Sequence, residues 1–300
     1  MESTQPLPSK TIRLRDGRNL GYVDNEVDGW RTVFLFHGFP GSRFQRDTDE
    51  SRAREMGLRM ISVDRPGYGL SDFKPGRQIL DWPDDVCELA DQLGVDRFSV
   101  AGWSGGGPYT LACAYKLAER LDRVAIMCSL APLTKPEVAK HMAGFNRISF
   151  TFGRHLPGFP RFLVGSMAFA FRFTPDLWQR ILASQSPESE VTTILKDPVF
   201  RKLMDTDLRE AMRQGSRGPA LDLRLYARDW GFGVEDIQVP VRLWHGEEDR
   251  TVPLEMGQYL ADHIPQCKAT FLPGEGHFIP ATRAGELVEE MSIRESGIPA

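Results

Sequence analysis

The sequence predicts an α/β protein with a mainly parallel central sheet flanked by helices and interrupted by one long helical insertion. Continuous apolar runs at Thr32–Phe36, Met60–Val63, Phe98–Trp103 and Val124–Ser129 read as strands buried on both faces, which parallel sheets require. Helical periodicity separates them. Asp81–Leu93 places Val86, Leu89, Ala90 and Leu93 on one face, and Pro108–Leu121 does the same with Leu111, Ala112, Tyr115 and Ala118. This alternation is the signature of parallel strands joined by helices.

The remaining elements follow in order. Thr11–Leu14 and Leu20–Val23 alternate around Asp16-Gly17, a hairpin signal. Alternation stops near Pro132, and residues 133 to about 236 show helical patches, eight phenylalanines between 145 and 173, and scattered methionines. It resumes with a strand at Val239–Trp244, a helix at Leu254–His263, a strand at Ala269–Leu272 and a helix at Arg283–Ile293. The expected organisation is a core of residues 1–132 and 237–300 around an inserted unit at 133–236.

Composition narrows the function classes. With 37 Lys and Arg against 41 Asp and Glu the net charge is −4, which argues against nucleic acid as the main partner, because phosphate binding needs a basic face. Cys87, Cys113, Cys128 and Cys267 form no CxxC pair and sit in apolar or helical patterns, so they read as reduced core thiols. The N-terminal MESTQPLPSK carries no apolar signal region. The longest apolar stretch, Val124–Leu133, is about half the ~20 residues that span a bilayer. A cytoplasmic chain with no membrane partner is the expectation.

The chemistry is carried by three turns. Strand Phe98–Trp103 runs into Gly102-Trp103-Ser104-Gly105-Gly106 and then into a helix, the context that a Gly-x-Ser-x-Gly elbow requires. Such a turn strains the serine backbone, and a Cβ two residues before or after it would clash, hence glycine at 102 and 106. The following helix aims its N-terminus at Ser104, which favours developing negative charge. A phosphate cradle is the competing reading, but no P-loop lysine or GxGxxG accompanies these glycines. A serine hydroxyl needs a base, and the base needs an orienting carboxylate. His245-Gly-Glu-Glu-Asp249-Arg-Thr-Val-Pro253 and Gly274-Glu-Gly-His277-Phe278 each follow a strand. Open α/β sheets assemble their sites at that edge.

The chain resembles the α/β-hydrolase fold superfamily, in its capped serine hydrolase and esterase branch. The resemblance rests on HGFPGS (37–42), DRPGYGLSD (64–72), GWSGGG (102–107), HGEEDRTVP (245–253) and GEGHF (274–278), in family order. It implies Ser104 as nucleophile, His277 as general base and then acid, and Asp249 as the triad acid, with Glu247 and Glu248 as the alternatives to Asp249. It also implies an oxyanion hole from the backbone N–H groups of Phe39 and Gly105. His37 and His245 are expected to hold loops. His141, His155 and His263 lie in helical patterns and are expected at the surface or in packing. No metal spacing occurs among the histidines, and no cofactor is expected. Trp103 either packs beneath the sheet edge or lines the pocket.

The insertion at 133–236 falls where the family places its cap. Phe145, Phe150, Phe152, Phe159, Phe162, Phe169, Phe171 and Phe173 are expected mainly to pack it onto the core, with some lining an apolar cavity. Arg147, Arg154, Arg161 and Arg172 are expected in solvent, with recognition of a substrate carboxylate as the alternative. Residues 215–219 and 222–230 resemble the end of the cap in actinobacterial-type hydrolases, some of them similar to aclacinomycin methylesterases. The implied function is hydrolysis of a carboxylic ester of a hydrophobic small molecule through an acyl-enzyme. Non-hydrolytic or C–C bond chemistry on the same triad is the first alternative, since fold alone does not exclude it. A silent small-molecule receptor is the second. Asp-nucleophile dehalogenase and epoxide chemistry is disfavoured by serine at 104.

Overall fold

The computed structural model describes residues 7–45, 50–142, 149–150, 152–153, 155–156, 158–184, 186–192 and 196–293, apart from the side chains of 175–179. Eight strands form one sheet: β1 Ser9–Arg13, β2 Asn19–Asp24, β3 Arg31–Phe36, β4 Leu58–Val63, β5 Phe98–Trp103, β6 Leu121–Met127, β7 Val241–Gly246 and β8 Cys267–Leu272. Their spatial order is β1-β2-β4-β3-β5-β6-β7-β8. The β1–β2 and β2–β4 pairs are antiparallel, and β4-β3-β5-β6-β7-β8 are parallel. The α/β class and the mostly parallel sheet expected from the apolar runs are therefore what the chain adopts.

Burial on both faces explains those runs. In β3 every residue is buried, with Phe34 and Phe36 joining one core cluster and Val33 and Leu35 the other. The first cluster packs under helices Trp82–Gln92 and Gly107–Lys116 through Trp82, Leu89 and Leu111. The second packs under Ala284–Ser292 through Leu287, Val288 and Met291.

Several boundaries differ from the sequence reading. The helix read as Pro108–Leu121 ends at Lys116, and Leu121 instead opens β6 opposite Phe98. Apolar periodicity continues across that junction because both sides of it face the core. β6 stops at Met127 because Cys128 takes φ 44°. β7 starts after Pro240, which has no N–H for the ladder. Helix Glu50–Glu55, between parallel β3 and β4, has only Ala53 buried and so carries little hydrophobic pattern. The need for a crossover between parallel strands could have flagged it.

Among the described residues the chain between β6 and β7 adds helices and no strand, notably Phe159–Phe173, Pro175–Ser184, Pro198–Ala211 and Arg217–Tyr226. The last of these is fixed to the sheet by a buried polar cluster. Asp222 accepts from Arg65 Nε (2.9 Å), Tyr68 Oη (2.8 Å), Tyr109 Oη (2.5 Å) and Arg77. Burial would raise this carboxyl, but Arg77 and Arg65 more than offset it and hold it below the usual carboxylate range.

Removing one partner of such a pair leaves buried charge uncompensated. Asp222→Ala is expected to cost roughly 3–5 kcal/mol of unfolding free energy, measured by urea denaturation. The folded pKa lies below the unfolded one, so the ionised carboxylate's contribution is complete at neutral pH and lost as pH falls through the folded value. The gap between wild type and Asp222→Asn should thus be constant from about pH 6 to 8 and shrink in acid below about pH 4.

Candidate active site

Ser104 sits where β5 ends and the next helix begins, with φ 54°. A non-glycine residue there is strained and persists only when its surroundings enforce it. The flanking glycines show how. A Cβ on Gly102 would lie 2.2 Å from Thr110 Oγ1 and 2.7 Å from Gly106 O, and one on Gly106 would lie 2.2 Å from Phe36 O. The crowding expected between positions 102 and 106 is present, and β3 adds to it.

Asp249 lies beyond β7 and His277 beyond β8, on the sheet edge where β5 ends. His277 Nε2 is 3.0 Å from Ser104 Oγ, and its Nδ1 is 2.7 Å from Asp249 Oδ2. A carboxylate only accepts, so the proton sits on Nδ1 and leaves Nε2 free to accept from the serine hydroxyl. Asp249 Oδ1 accepts from the backbone N–H groups of Thr251 (2.9 Å) and Val252 (2.8 Å). Burial alone would raise the Asp249 carboxyl, but His277, then His245 and the Val252 N–H, bring it below its ordinary value. Glu247 and Glu248 point into solvent.

Phe39 and Gly105 meet beside Ser104, since a Cβ on Gly105 would lie 2.8 Å from Phe39 Cβ. Both line, with Ser104 and His277, a cavity of about 480 Å³. Its wall is largely apolar and includes Leu130, Phe150, Met167, Leu182, Phe200, Leu208 and Phe278. Asp207, whose Oδ1 accepts from Ser42 N (2.8 Å) and Oγ (2.6 Å), and His277 are its ionisable members, with the phenol of Tyr226. No Lys or Arg among the described residues lines it.

The loop histidines are held as the sequence reading expects. His37 Nδ1 donates to Gly38 O (2.9 Å) and Nε2 accepts from Arg65 N–H (3.2 Å). Burial, and then the Arg65 charge, push its pKa well down, so it is neutral. His245 Nε2 reaches Val252 O at 2.9 Å, bracing the turn that carries Asp249. Of the two readings left open for Trp103, both have a counterpart, since its ring also packs against the second core cluster. It lines the cavity, and its Nε1 donates to His277 O at 2.9 Å.

Other placements differ from expectation. Of the eight phenylalanines, Phe150 lines the cavity while Phe152, Phe162, Phe169 and Phe173 are exposed. On helix Phe159–Phe173 it is Leu163, Ser166, Met167 and Ala170 that face the cavity. Arg161 and Arg172 are exposed as expected, and Phe145, Arg147 and Arg154 lie outside the described residues. The sequence reading missed Glu190, which is buried and accepts from Phe278 N–H at 2.7 Å. It also missed Gln45, whose Oε1 accepts from Gly38 N–H. Neither residue has a motif, and no local pattern marks them. Cys128 brings its sulfur within 4.8 Å of ligand atoms of Asp249 and His277. Burial and the Asp249 charge push that thiol well up, and it donates to Gly276 O at 3.5 Å.

Comparison with known proteins places the chain in a family. The sequence profile of the Alpha/beta hydrolase family matches residues 33–290. The chain is 24% identical over 294 residues to the uncharacterized hydrolase YugF of Bacillus subtilis, covering 97% of each chain. It is 22% identical over 288 residues to the bifunctional esterase/perhydrolase DCH of Acinetobacter calcoaceticus, covering 93% of this chain and 97% of that one. A thermophilic esterase from Thermogutta terrifontis shares the fold with TM-score 0.64 and 21% identity, over 95% of this chain and 96% of that one. The chain belongs to the alpha/beta hydrolase family.

The hydrogen bond from His277 Nδ1 fixes the tautomer that leaves Nε2 unprotonated. Asp249→Asn keeps the shape but removes that constraint. Its kcat on any ester substrate is expected to fall roughly 10³–10⁴-fold with little change in KM, as steady-state kinetics will record.

Proposed function

We propose that the protein is a serine hydrolase that cleaves a carboxylic ester of a largely hydrophobic small molecule through an acyl-enzyme on Ser104. The observation that carries this reading is the unbroken hydrogen-bonded line Asp249–His277–Ser104, with spacings of 2.7 and 3.0 Å, at the wall of a largely apolar cavity. In the proposed cycle His277 takes the Ser104 proton as Oγ attacks the ester carbonyl. Asp249 stabilises the imidazolium. The N–H groups of Phe39 and Gly105 bind the oxyanion, and each such donor contributes typically ~3 kcal/mol at the transition state. The imidazolium then protonates the departing alkoxide, and water, activated by the same imidazole, releases the acid.

In this reading residues 133–236 form a cap over the catalytic edge. Helices Phe159–Phe173 and Pro198–Ala211, which supply much of the cavity wall, support that role. The esterase named among the relatives and the esterase among the structural neighbours support the ester as substrate class. Among the described residues no helix is long and apolar enough to cross a membrane, and all four cysteines are free thiols, in keeping with a cytoplasmic setting.

Two measurements test the reading. The wild-type protein is expected to hydrolyse uncharged 4-nitrophenyl esters and to be labelled by a fluorophosphonate, with both lost in Ser104→Ala. Labelling without turnover across a panel of acyl lengths would favour non-hydrolytic chemistry instead. Because no cation lines the cavity among the described residues, a free carboxylate on the acyl chain is expected to lower kcat/KM by at least about tenfold against the uncharged chain of equal length.

A further inference from the structure

We propose that Arg65 is a positioning residue for the oxyanion site, setting the direction of the Phe39 N–H through the carbonyl of Gly38. The inference rests on the esterase reading above and adds to it a side chain outside the triad.

A trans peptide is planar, so its carbonyl and the next N–H point in opposite directions. Whatever fixes Gly38 O therefore fixes Phe39 N–H. Gly38 O accepts from Arg65 Nη2 at 2.8 Å and from His37 Nδ1 at 2.9 Å, which uses both of its lone pairs. Arg65 Nη1 donates to the preceding carbonyl, His37 O, and the Arg65 backbone N–H donates to the His37 ring. Two successive carbonyls of the loop are thus gripped by one rigid fork. That fork is aimed from behind by Asp222, which accepts from Nε at 2.9 Å, and both side chains are fully buried.

The same cluster touches the other proposed donor residue. Tyr226 Oη lies 2.9 Å from Gly105 O, 3.2 Å from Asp222 Oδ2 and 3.4 Å from Arg65 Nη2. A hydroxyl has one proton, and Gly105 O is the nearer acceptor. The Phe39 ring packs edge-on against Tyr226, with centroids 5.8 Å apart. Asp222 and Tyr226 are one turn apart on helix Arg217–Tyr226. Burial keeps Tyr68, Tyr109 and Tyr226 protonated, so two guanidiniums face one carboxylate and the cluster carries one positive charge in excess. Fixed positive charge behind the oxyanion peptides favours the negative charge that develops there. Lysine, a point charge without a planar fork, cannot hold both carbonyls and the carboxylate.

The test compares Arg65→Lys with Arg43→Lys, which disturbs another buried arginine–carboxylate pair, 2.7 Å from Asp64, without touching Gly38. With 4-nitrophenyl butyrate, Arg65→Lys is expected to lose about 10–100-fold in kcat with KM little changed. Its affinity for an alkyl trifluoromethyl ketone, which forms an oxyanion on Ser104, should fall in parallel. Arg43→Lys should lower thermal stability and leave kcat within about twofold. An Arg65→Lys protein with lowered stability but unchanged kcat and ketone affinity overturns the proposal. If Arg65→Lys fails to fold, Tyr226→Phe, which keeps the ring, takes its place: lower kcat at constant KM supports the cluster's role, and unchanged kcat overturns it. A wild-type protein that cleaves no ester defeats the esterase reading alone. The proposal is then decided by crystal structures of the same variants, in which an unturned Gly38 carbonyl and an unmoved Gly105 overturn it.

Discussion

Residue 104 must hold a left-handed backbone conformation on a side chain that has a Cβ, and the rest of the site is arranged around that requirement. The strain is of order 1–3 kcal/mol and has no local compensation. It is enforced by contact: Gly102 against Thr110 and Gly106, and Gly106 against the carbonyl of Phe36. β5, helix Gly107–Lys116 and the end of β3 therefore form one sterically locked unit. The serine hydroxyl is thereby presented at the end of β5, 3.0 Å from His277 Nε2.

Loops from two further strands converge on this fixed point, and each is braced differently. Asp249 is held by backbone donors within its own turn, and His245 supports that turn from below. His277 is steadied by Trp103 on its carbonyl, while Glu190 takes the N–H of the next residue. The bracing groups come from β5, from β7 and the turn after it, and from the segment between β6 and β7. Precision at the hydroxyl is thus a property of several elements at once, and the depressed Asp249 carboxyl is its electrostatic counterpart.

The legible parts of the molecule were those with a short-range physical cause. Double-faced burial makes apolar runs, so β3, β4, β5 and β6 could be read directly. The elbow glycines advertise a steric need through their spacing on either side of a serine between a strand and a helix. Asp249 and His277 each follow a strand by a few residues, and motif order links them to Ser104. What could not be read depends on distant packing. Asp222 lies 157 residues from Arg65, and nothing near either marks the other. Glu190 and Gln45 act through single backbone groups, with no pattern of neighbours. The exposed Phe162, Phe169 and Phe173 escaped because composition records how much apolar surface a segment has, not which side of a helix carries it.

The long helical segment between β6 and β7 also has a temporal consequence. Ser104 and His277 are separated by 173 residues, about 10–35 s of ribosomal synthesis at typical elongation rates. Through that interval the nascent chain carries Ser104 without its hydrogen-bond partner His277, and the hydrogen-bonding edge of β6 waits for β7. The hydrogen-bonded line from Asp249 to Ser104 is therefore completed only when the last parallel strands dock, and the unpaired edge is the hazard that accompanies the delay.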